Sequence, residues 1–121
     1  MERIIKFRGK NTTTGKWLYG SLLTWLDGCC KIYDKQLSDG SMAGLEVEPL
    51  SVGQFTGFVD KHGKEIYEGD IFHLGDPNIR YVVVYRDCGL IGRQIGSSST
   101  VGIPYWSDSI TIIGNLYETV P

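Results

Sequence analysis

Four carboxylates and two imidazoles lie close together in the middle of the chain. They are Asp60, His62, Glu65, Glu68, Asp70 and His73. Side chains of these types can bind a divalent cation or share acid–base work. However, Lys61 and Lys64 lie among them, and the spacing matches neither a His-Glu-x-x-His helix nor an EF-hand loop. Solvated hairpin tips commonly have this composition, so we favour a turn over a metal site or a catalytic site.

The first 16 residues are strongly basic. They hold five basic side chains and one acidic one, whereas the remaining residues carry a net charge of −6. A basic strand pair with a nearby tryptophan could contact phosphates and stack a nucleobase. The candidate contact residues for nucleic acid or another partner are Lys6, Arg8, Lys10 and Trp17. Lysine and arginine also line the solvent face of edge strands, where their charge prevents aggregation, and we favour that explanation because the whole chain is acidic.

Other chemical signatures are missing from the sequence. It contains no Gly-x-Ser-x-Gly elbow, no Gly-x-Gly-x-x-Gly motif and no phosphate-binding loop ending in Gly-Lys-Ser/Thr. The three cysteines, Cys29, Cys30 and Cys88, form no Cys-x-x-Cys pair, and their odd number argues against a disulfide framework. We therefore predict no catalytic residue, no metal site, no cofactor and no enzymatic activity.

The composition favours strands over helices. Ala43 is the only alanine, whereas Ile, Val, Thr and the aromatic residues make up 42 of 121 residues. The 16 glycines lie between short apolar runs, as turns between strands require. We expect an all-β fold of mainly antiparallel strands arranged as a complex barrel, with at most one short helix. An SH3-like arrangement is an option for the C-terminal half.

Apolar alternation and turn residues locate the expected strands. They cover 4–8, 17–19, 22–26, 29–33, 55–59, 64–67, 71–74, 80–85, 90–95 and 110–113, with 100–105 extended and 116–117 continuing the last strand. Asp27-Gly28 predicts a two-residue hairpin turn, and His62-Gly63 predicts another tight turn. Residues 34–53 are expected to form a long connection with a short strand at 46–48. The apolar run 80–85 predicts a strand buried on both faces.

The length fits a single domain spanning residues 1–121, with two lobes joined near Pro49 as the alternative. No apolar run approaches the roughly 18 residues that a membrane helix needs. The N-terminal residues Met1 to Lys6 contain no apolar segment typical of a secretion signal. We expect a soluble, cytoplasmic protein without membrane contact.

Three stretches of the chain resemble the YopX-like family of bacteriophage and prophage proteins. They are Ile5-Lys6-Phe7-Arg8-Gly9 with Trp17-Leu18-Tyr19-Gly20, then residues 53–71, and then Ile113-Gly114-Asn115-Leu116-Tyr117-Glu118. The resemblance implies a complex, mainly antiparallel β-barrel encoded in phage-derived regions, and it implies no activity and no catalytic residues. Gly9 departs from the pattern, because many relatives carry a larger residue at this position.

The residues that carry the resemblance have a structural explanation. Asp60 can accept backbone hydrogen bonds in a turn, where Gly63 supplies a positive φ. Gly69-Asp70 is similar to the entry of a strand in SH3-like folds, with a tight bend at the glycine and backbone amides bound by the aspartate. The residues with a predicted structural role are Gly53, Gln54, Phe55, Thr56, Gly57, Asp60, Gly63, Glu68, Gly69, Asp70, Gly114 and Asn115.

Two functions follow from these observations. The leading hypothesis is a binding module for a host or phage protein, or for a second copy of the chain in a homo-oligomer, because strand edges are available and catalytic motifs are absent. The alternative is nucleic-acid binding through the basic N-terminal hairpin. Affinity that falls steeply with salt would distinguish nucleic-acid binding from protein binding.

Overall fold

The computed structural model of the chain describes residues 4–36, 42–86 and 89–119. Contacts between residues divide the chain into two compact units, Met1–Gln54 and Phe55–Pro121. The division falls inside a strand, β5 (Gly53–Val59), whose first two residues pair within the first unit. The single domain spanning residues 1–121 stays a prediction.

The first unit is built from four antiparallel strands in the order β4-β3-β2-β1. They are β1 (Phe7–Lys10), β2 (Trp17–Thr24), β3 (Cys30–Gln36) and β4 (Met42–Val47), followed by a 3₁₀ turn at Pro49–Ser51. The two strands predicted at 17–19 and 22–26 form one continuous strand, whose first half, 17–20, pairs with β1 and whose second half, 21–24, pairs with β3. Likewise, β4 occupies much of the predicted connection because it pairs along β3.

The core of the first unit lies on one face of these strands. Cys30, Ile32 and Val47 are buried there. The ends of β1 and β4 meet at a single bridge between Asn11 and Val47, so the strands curl towards one another. Among the described residues this contact does not extend into a continuous pairing of β1 with β4, and the expected barrel is not closed. The chain turns at Asn11, whose Oδ1 accepts the backbone N–H groups of Thr13 and Thr14 at 3.1 and 2.7 Å.

Gly9 occupies a position where β1 approaches the core closely. A Cβ atom at this position would lie 2.8 Å from Val47 Cγ2. Overpacking of this kind costs about 1–3 kcal/mol. We therefore expect Gly9→Ala to lower the free energy of unfolding by about that amount in urea titrations. The same substitution in a Val47→Ala background should cost less, and an equal cost in both backgrounds would show that the valine is not the obstacle.

The second unit contains the rest of β5, β6 (Glu65–Tyr67) and a five-stranded antiparallel sheet with the order β10-β9-β8-β7-β11. Its strands are β7 (Asp70–His73), β8 (Arg80–Arg86), β9 (Gly89–Gln94), β10 (Thr100–Gly102) and β11 (Thr111–Asn115). Within the described ranges β10 and β11 are its two edges, so this sheet is open. The antiparallel all-β class is confirmed, whereas the sheets of the described residues are not closed into the expected barrel, and the SH3-like arrangement stays a prediction.

Two four-residue helices, α1 (Ile103–Trp106) and α2 (Leu116–Thr119), replace segments that were expected to be extended. Pro104 lies in the first turn of α1, where its missing N–H group is tolerated and its φ angle favours a helix. A 3₁₀ turn at Ser107–Ser109 follows α1. In the part of the chain that the structure describes, no helix has the length and apolar character needed to span a membrane.

The core of the second unit is centred on Phe72. It is completed by four aliphatic side chains with at most 1 % exposure, Ile66, Val83, Ile103 and Ile110. The predicted burial of 80–85 holds only for the middle of β8, at Val82 and Val83, whereas Arg80, Tyr85 and Arg86 at the ends of this strand are exposed.

Candidate functional site

Asp60 organises the turn between β5 and β6. Its Oδ1 atom accepts the backbone N–H groups of His62 and Lys64 at 2.8 and 2.9 Å, and Gly63 has a φ angle of 82°. Its Oδ2 atom accepts the backbone N–H of Ile112, which is 52 residues away, at 3.3 Å. The carboxylate therefore shapes the hairpin tip and also attaches it to β11.

The same contacts determine the ionisation of Asp60. Burial alone would raise the pKa of this carboxyl group, but the backbone N–H groups of Lys64, His62 and Ile112 lower it, with a smaller contribution from the His62 ring. The net result is a pKa below the ordinary aspartate value. Asp60 is thus held as a structural carboxylate, and a general acid at neutral pH would require a shift in the opposite direction.

The other acidic and imidazole groups are distributed over separate local contacts. Asp70 is buried and its Oδ2 atom accepts the Tyr67 backbone N–H at 2.7 Å, while the Tyr67 hydroxyl donates to Glu65 Oε1 at 3.0 Å. His73 Nδ1 accepts the N–H of Gly75 at 3.0 Å. Within the described ranges, no three His, Cys, Asp or Glu side chains converge on one point where they could hold a metal ion.

The second and third stretches of the family resemblance meet at the ends of β7 and β11. Gly114 and Asn115 of β11 pair with Ile71 and Asp70 of β7. Gly69 has a φ angle of 92°, its N–H donates to the Val83 carbonyl at 2.8 Å, and its carbonyl accepts the Leu116 N–H at 2.8 Å. Asn115 Oδ1 accepts the N–H of Glu118 at 2.9 Å and so caps α2. Glu68 lies half-buried in the turn before Gly69.

The first five motif residues of β5 have roles in strand geometry. They are Gly53, Gln54, Phe55, Thr56 and Gly57. The first two pair with Arg8 and Phe7 of β1. The ring of Phe55 lies 5.4 Å from the ring of Tyr67. Thr56 Oγ1 accepts the N–H of Phe58 at 3.2 Å, and Gly57 has a φ angle of 90° where the pairing between β5 and β6 is irregular.

The structure brings three of the four predicted nucleic-acid contact residues together. Lys10 lies opposite Trp17 in the β1–β2 register. The guanidinium carbon of Arg8 is 5.0 Å from the centroid of the Trp17 ring, and Lys10 Nζ is 5.8 Å from it. Lys6 precedes β1 and is half-buried. Because Arg8 is only 6 % exposed, little of its guanidinium is accessible to a phosphate group.

The β2–β3 hairpin tip presents an apolar surface that the sequence analysis did not select. Leu23 is 46 % exposed, Trp25 is 43 % exposed and Leu26 is fully exposed, and we call these three residues the hairpin-tip patch. The turn runs through Trp25–Cys29, with Gly28 at a φ angle of 90°. It is longer than the predicted two-residue turn, since the Trp25 N–H donates to the Cys29 carbonyl at 2.9 Å. The sequence signal that could have indicated this patch is the apolar pair Trp25-Leu26 directly before the Asp27-Gly28 turn.

An open cleft of about 200 Å³ lies beside this patch. It is lined by Trp25, Asp27, Cys29 and Lys31. Lys31 Nζ lies 5.5 Å from the centroid of the Trp25 ring. Asp27 Oδ1 accepts the backbone N–H of Cys29 at 2.9 Å, and the Cys29 thiol contacts Glu46 Oε2 at 3.8 Å. The cleft therefore combines an aromatic face with charges of both signs.

Burial and two nearby carboxylates determine the ionisation of the Cys29 thiol. Local burial and the charges of Glu46 and Asp27 raise the pKa of the Cys29 thiol, and Lys31 opposes them. Because the thiolate is the reactive species, we expect slow alkylation of Cys29 by iodoacetamide at pH 7.5. Glu46→Gln should accelerate this reaction, as measured by tandem mass spectrometry, while the buried Cys30 in the same peptide stays slow. Unchanged kinetics in Glu46→Gln would contradict the assignment.

The fold and the site define a class of protein: an all-β chain whose central acidic residues organise turns and whose β2–β3 hairpin carries exposed apolar side chains at its tip. Residues 6–120 match the family model described as YopX protein. Because this match covers nearly the whole chain, the chain belongs to the YopX family. A search of curated proteins found no match.

Proposed function

We propose that this chain is a phage- or prophage-encoded protein that acts in the bacterial cytoplasm by binding another protein through its hairpin-tip patch. The observation that carries the proposal is the exposure of Leu23, Trp25 and Leu26 at the end of one hairpin. Membership of the YopX family, together with the resemblance of the chain to phage and prophage proteins, supports the proposed phage origin. The proposal includes no catalytic step, because the sequence carries no catalytic signature.

The physical argument concerns the exposure of several large apolar side chains in one place. A single exposed leucine is ordinary, whereas adjacent exposed apolar residues mark binding surfaces. Tryptophan is also enriched among the residues that contribute most to protein–protein affinity. Trp25 and Leu26 lie in the turn rather than within the sheet, so a partner can reach them without separating strands.

The test compares two exposed surfaces of the same unit. Wild-type protein, a Leu23→Ser/Leu26→Ser variant and a Leu50→Ser variant would each be immobilised and exposed to bacterial lysate. Leu50 is the matched control, because it is 94 % exposed in the 3₁₀ turn outside the patch. Captured proteins would be quantified by mass spectrometry with and without nuclease, and self-association would be measured by light scattering.

We expect the patch variant to lose a nuclease-resistant partner, or concentration-dependent self-association, that the Leu50→Ser variant retains. A loss of at least tenfold corresponds to at least about 1.4 kcal/mol, which exceeds the value of about 1 kcal/mol that most interface residues do not reach when they are truncated. A strictly monomeric wild-type protein that captures the same material as the patch variant would contradict the proposal.

Nucleic-acid binding is the second candidate, favoured by the approach of Arg8 and Lys10 to the Trp17 ring. Charge reversal at the buried Arg8 would confuse binding with stability, so Lys10→Glu and Lys16→Glu are the better variants. If this candidate is correct, oligonucleotide affinity should fall steeply with salt and should fall further in these variants. Affinity that is insensitive to both changes would exclude this hairpin as the site.

A further inference from the structure

We propose that the cleft beside the hairpin-tip patch binds a cationic side chain, an arginine or lysine, of the partner protein. This inference rests on the proposed function, because it names the chemistry of the group that the hairpin tip anchors. The cleft measures about 200 Å³. That is below the roughly 300–1,000 Å³ typical of pockets for drug-sized ligands, and it suits a single side chain.

The aromatic wall of the cleft already contacts a cation. Lys31 Nζ lies 5.5 Å from the Trp25 ring centroid, inside the distance of about 6 Å at which cation–π attraction operates. The indole is also 43 % exposed, so the ring remains reachable from solvent. A guanidinium group stacks on aromatic faces through both its charge and its planarity, which makes arginine the better of the two candidates.

The charges around the cleft also favour a cation. Asp27 lines it, and Glu46 lies 3.8 Å from the thiol of Cys29, whereas Lys31 is the single ammonium group of the lining. Both carboxylates raise the pKa of the Cys29 thiol, which is the effect of a negative local potential on a group that ionises to an anion. An anionic side chain would meet the Asp27 carboxylate in the lining and the Glu46 carboxylate beside Cys29, against the one ammonium group of Lys31.

The sequence around the cleft also carries a net negative charge. Residues 17–54 contain five acidic and two basic side chains, while the basic excess of the chain is confined to residues 1–16. A partner that presents a basic residue beside apolar ones would therefore match both the charge of the cleft and the apolar patch next to it.

The experiment is a two-dimensional NMR titration of the full chain at constant ionic strength. The probe is N-acetyl-arginine amide, its neutral isostere is N-acetyl-citrulline amide, and the anionic comparison is N-acetyl-glutamate amide. We expect saturable shifts of the Trp25 indole N–H and of the Cys29 and Lys31 amides with the arginine probe. The citrulline probe should produce much smaller shifts, and the glutamate probe should produce none.

Three variants make the assignment specific. Asp27→Asn should lower the affinity for the arginine probe by about two- to fivefold, because it removes a negative charge. The asparagine retains an oxygen that can accept the hydrogen bond from the Cys29 N–H. Lys31→Gln should strengthen binding by about the same factor, because it removes the competing cation. Asp76→Asn is the matched control: Asp76 accepts a similar N–H bond in an exposed turn of the other unit, and its replacement should leave affinity unchanged.

Each contrary outcome is decisive. Saturable shifts with the glutamate probe, equal shifts with arginine and citrulline, or weaker binding in Lys31→Gln would overturn the cationic assignment. If no probe shifts Trp25 while the Leu23→Ser/Leu26→Ser variant still loses its partner, the cation site is wrong and the protein-binding function stands. If the arginine probe binds but the patch variant keeps every captured protein, the cation site stands and the proposed function is wrong.

Discussion

Replacing Asp60 with alanine is expected to lower the free energy of unfolding by about 3 kcal/mol, because the backbone donors it now binds lose a charged acceptor. Its carboxylate accepts three N–H groups, two in the turn and one from Ile112 of β11. Urea or thermal unfolding measured by circular dichroism would give the value.

The matched control for Asp60→Ala is Asp76→Ala. The Asp76 carboxylate accepts the N–H of Asn78 at 2.9 Å in an exposed turn, and in the described part of the chain it has no hydrogen bond to a distant strand. Its replacement should change stability by about 0.5 kcal/mol or less. Similar losses in the two variants would show that the contact with Ile112 does not contribute.

The stability of the protein should also depend on pH through Asp60. The folded-state pKa of this group is lowered, so its contribution is fully present above the ordinary aspartate pKa of about 3.9. It is lost as pH falls from about 4 through the lower folded-state value. The free energy of unfolding of Asp60→Asn should therefore fall less than that of wild type between pH 5 and pH 3. Parallel plots of the free energy of unfolding against pH for the two proteins would contradict this linkage.

Gly92→Val is expected to destabilise the second unit by about 3 kcal/mol or more, because it overpacks the core. A Cβ atom on Gly92 would lie 2.6 Å from Phe72 Cζ and 2.8 Å from Val101 Cγ2. β-Propensity alone predicts the opposite sign, since valine favours strands more than glycine does. Urea unfolding followed by circular dichroism would decide between the two signs.

Two further variants identify the cause of the Gly92→Val effect. Gly102→Ala is the control, because its added Cβ would meet no atom within 4 Å, and it should change stability by at most about 0.5 kcal/mol. Phe72→Leu shortens the side chain that obstructs Gly92. The combined Gly92→Val/Phe72→Leu variant should therefore be more stable than the sum of the separate losses implies.

Local patterns predicted the strands and turns of the chain better than its architecture. Alternation placed most strands within a few residues of their observed ends, and the Gly63 turn followed from the local preference of glycine for positive φ. The expected barrel is not closed in the described residues, because closure of a sheet depends on contacts between distant segments. The single bridge between Asn11 and Val47 is an example, since nothing local to either residue predicts it.

The candidate sites show the same division between local and tertiary information. The acidic and imidazole residues at 60–73 were assigned to turns from their composition, whereas the attachment of Asp60 to Ile112 became visible only in the fold. The basic set was recognised from its charge, but the burial of Arg8 depends on its surroundings. Exposure of Trp25 and Leu26 was likewise hidden, because an apolar pair before a turn has the same sequence whether it is covered or not.

Composition, alternation and motif spacing are local properties, and they were sufficient to predict the all-β class, the YopX family and the types of residue at the turns. Three other features became known from the fold: the sheet of the second unit is open within the described residues, Gly92 makes room for Phe72, and the hairpin tip carries exposed apolar residues beside a charged cleft. Burial, close approach and the sum of nearby charges depend on which distant segments lie together, and local patterns do not contain that information.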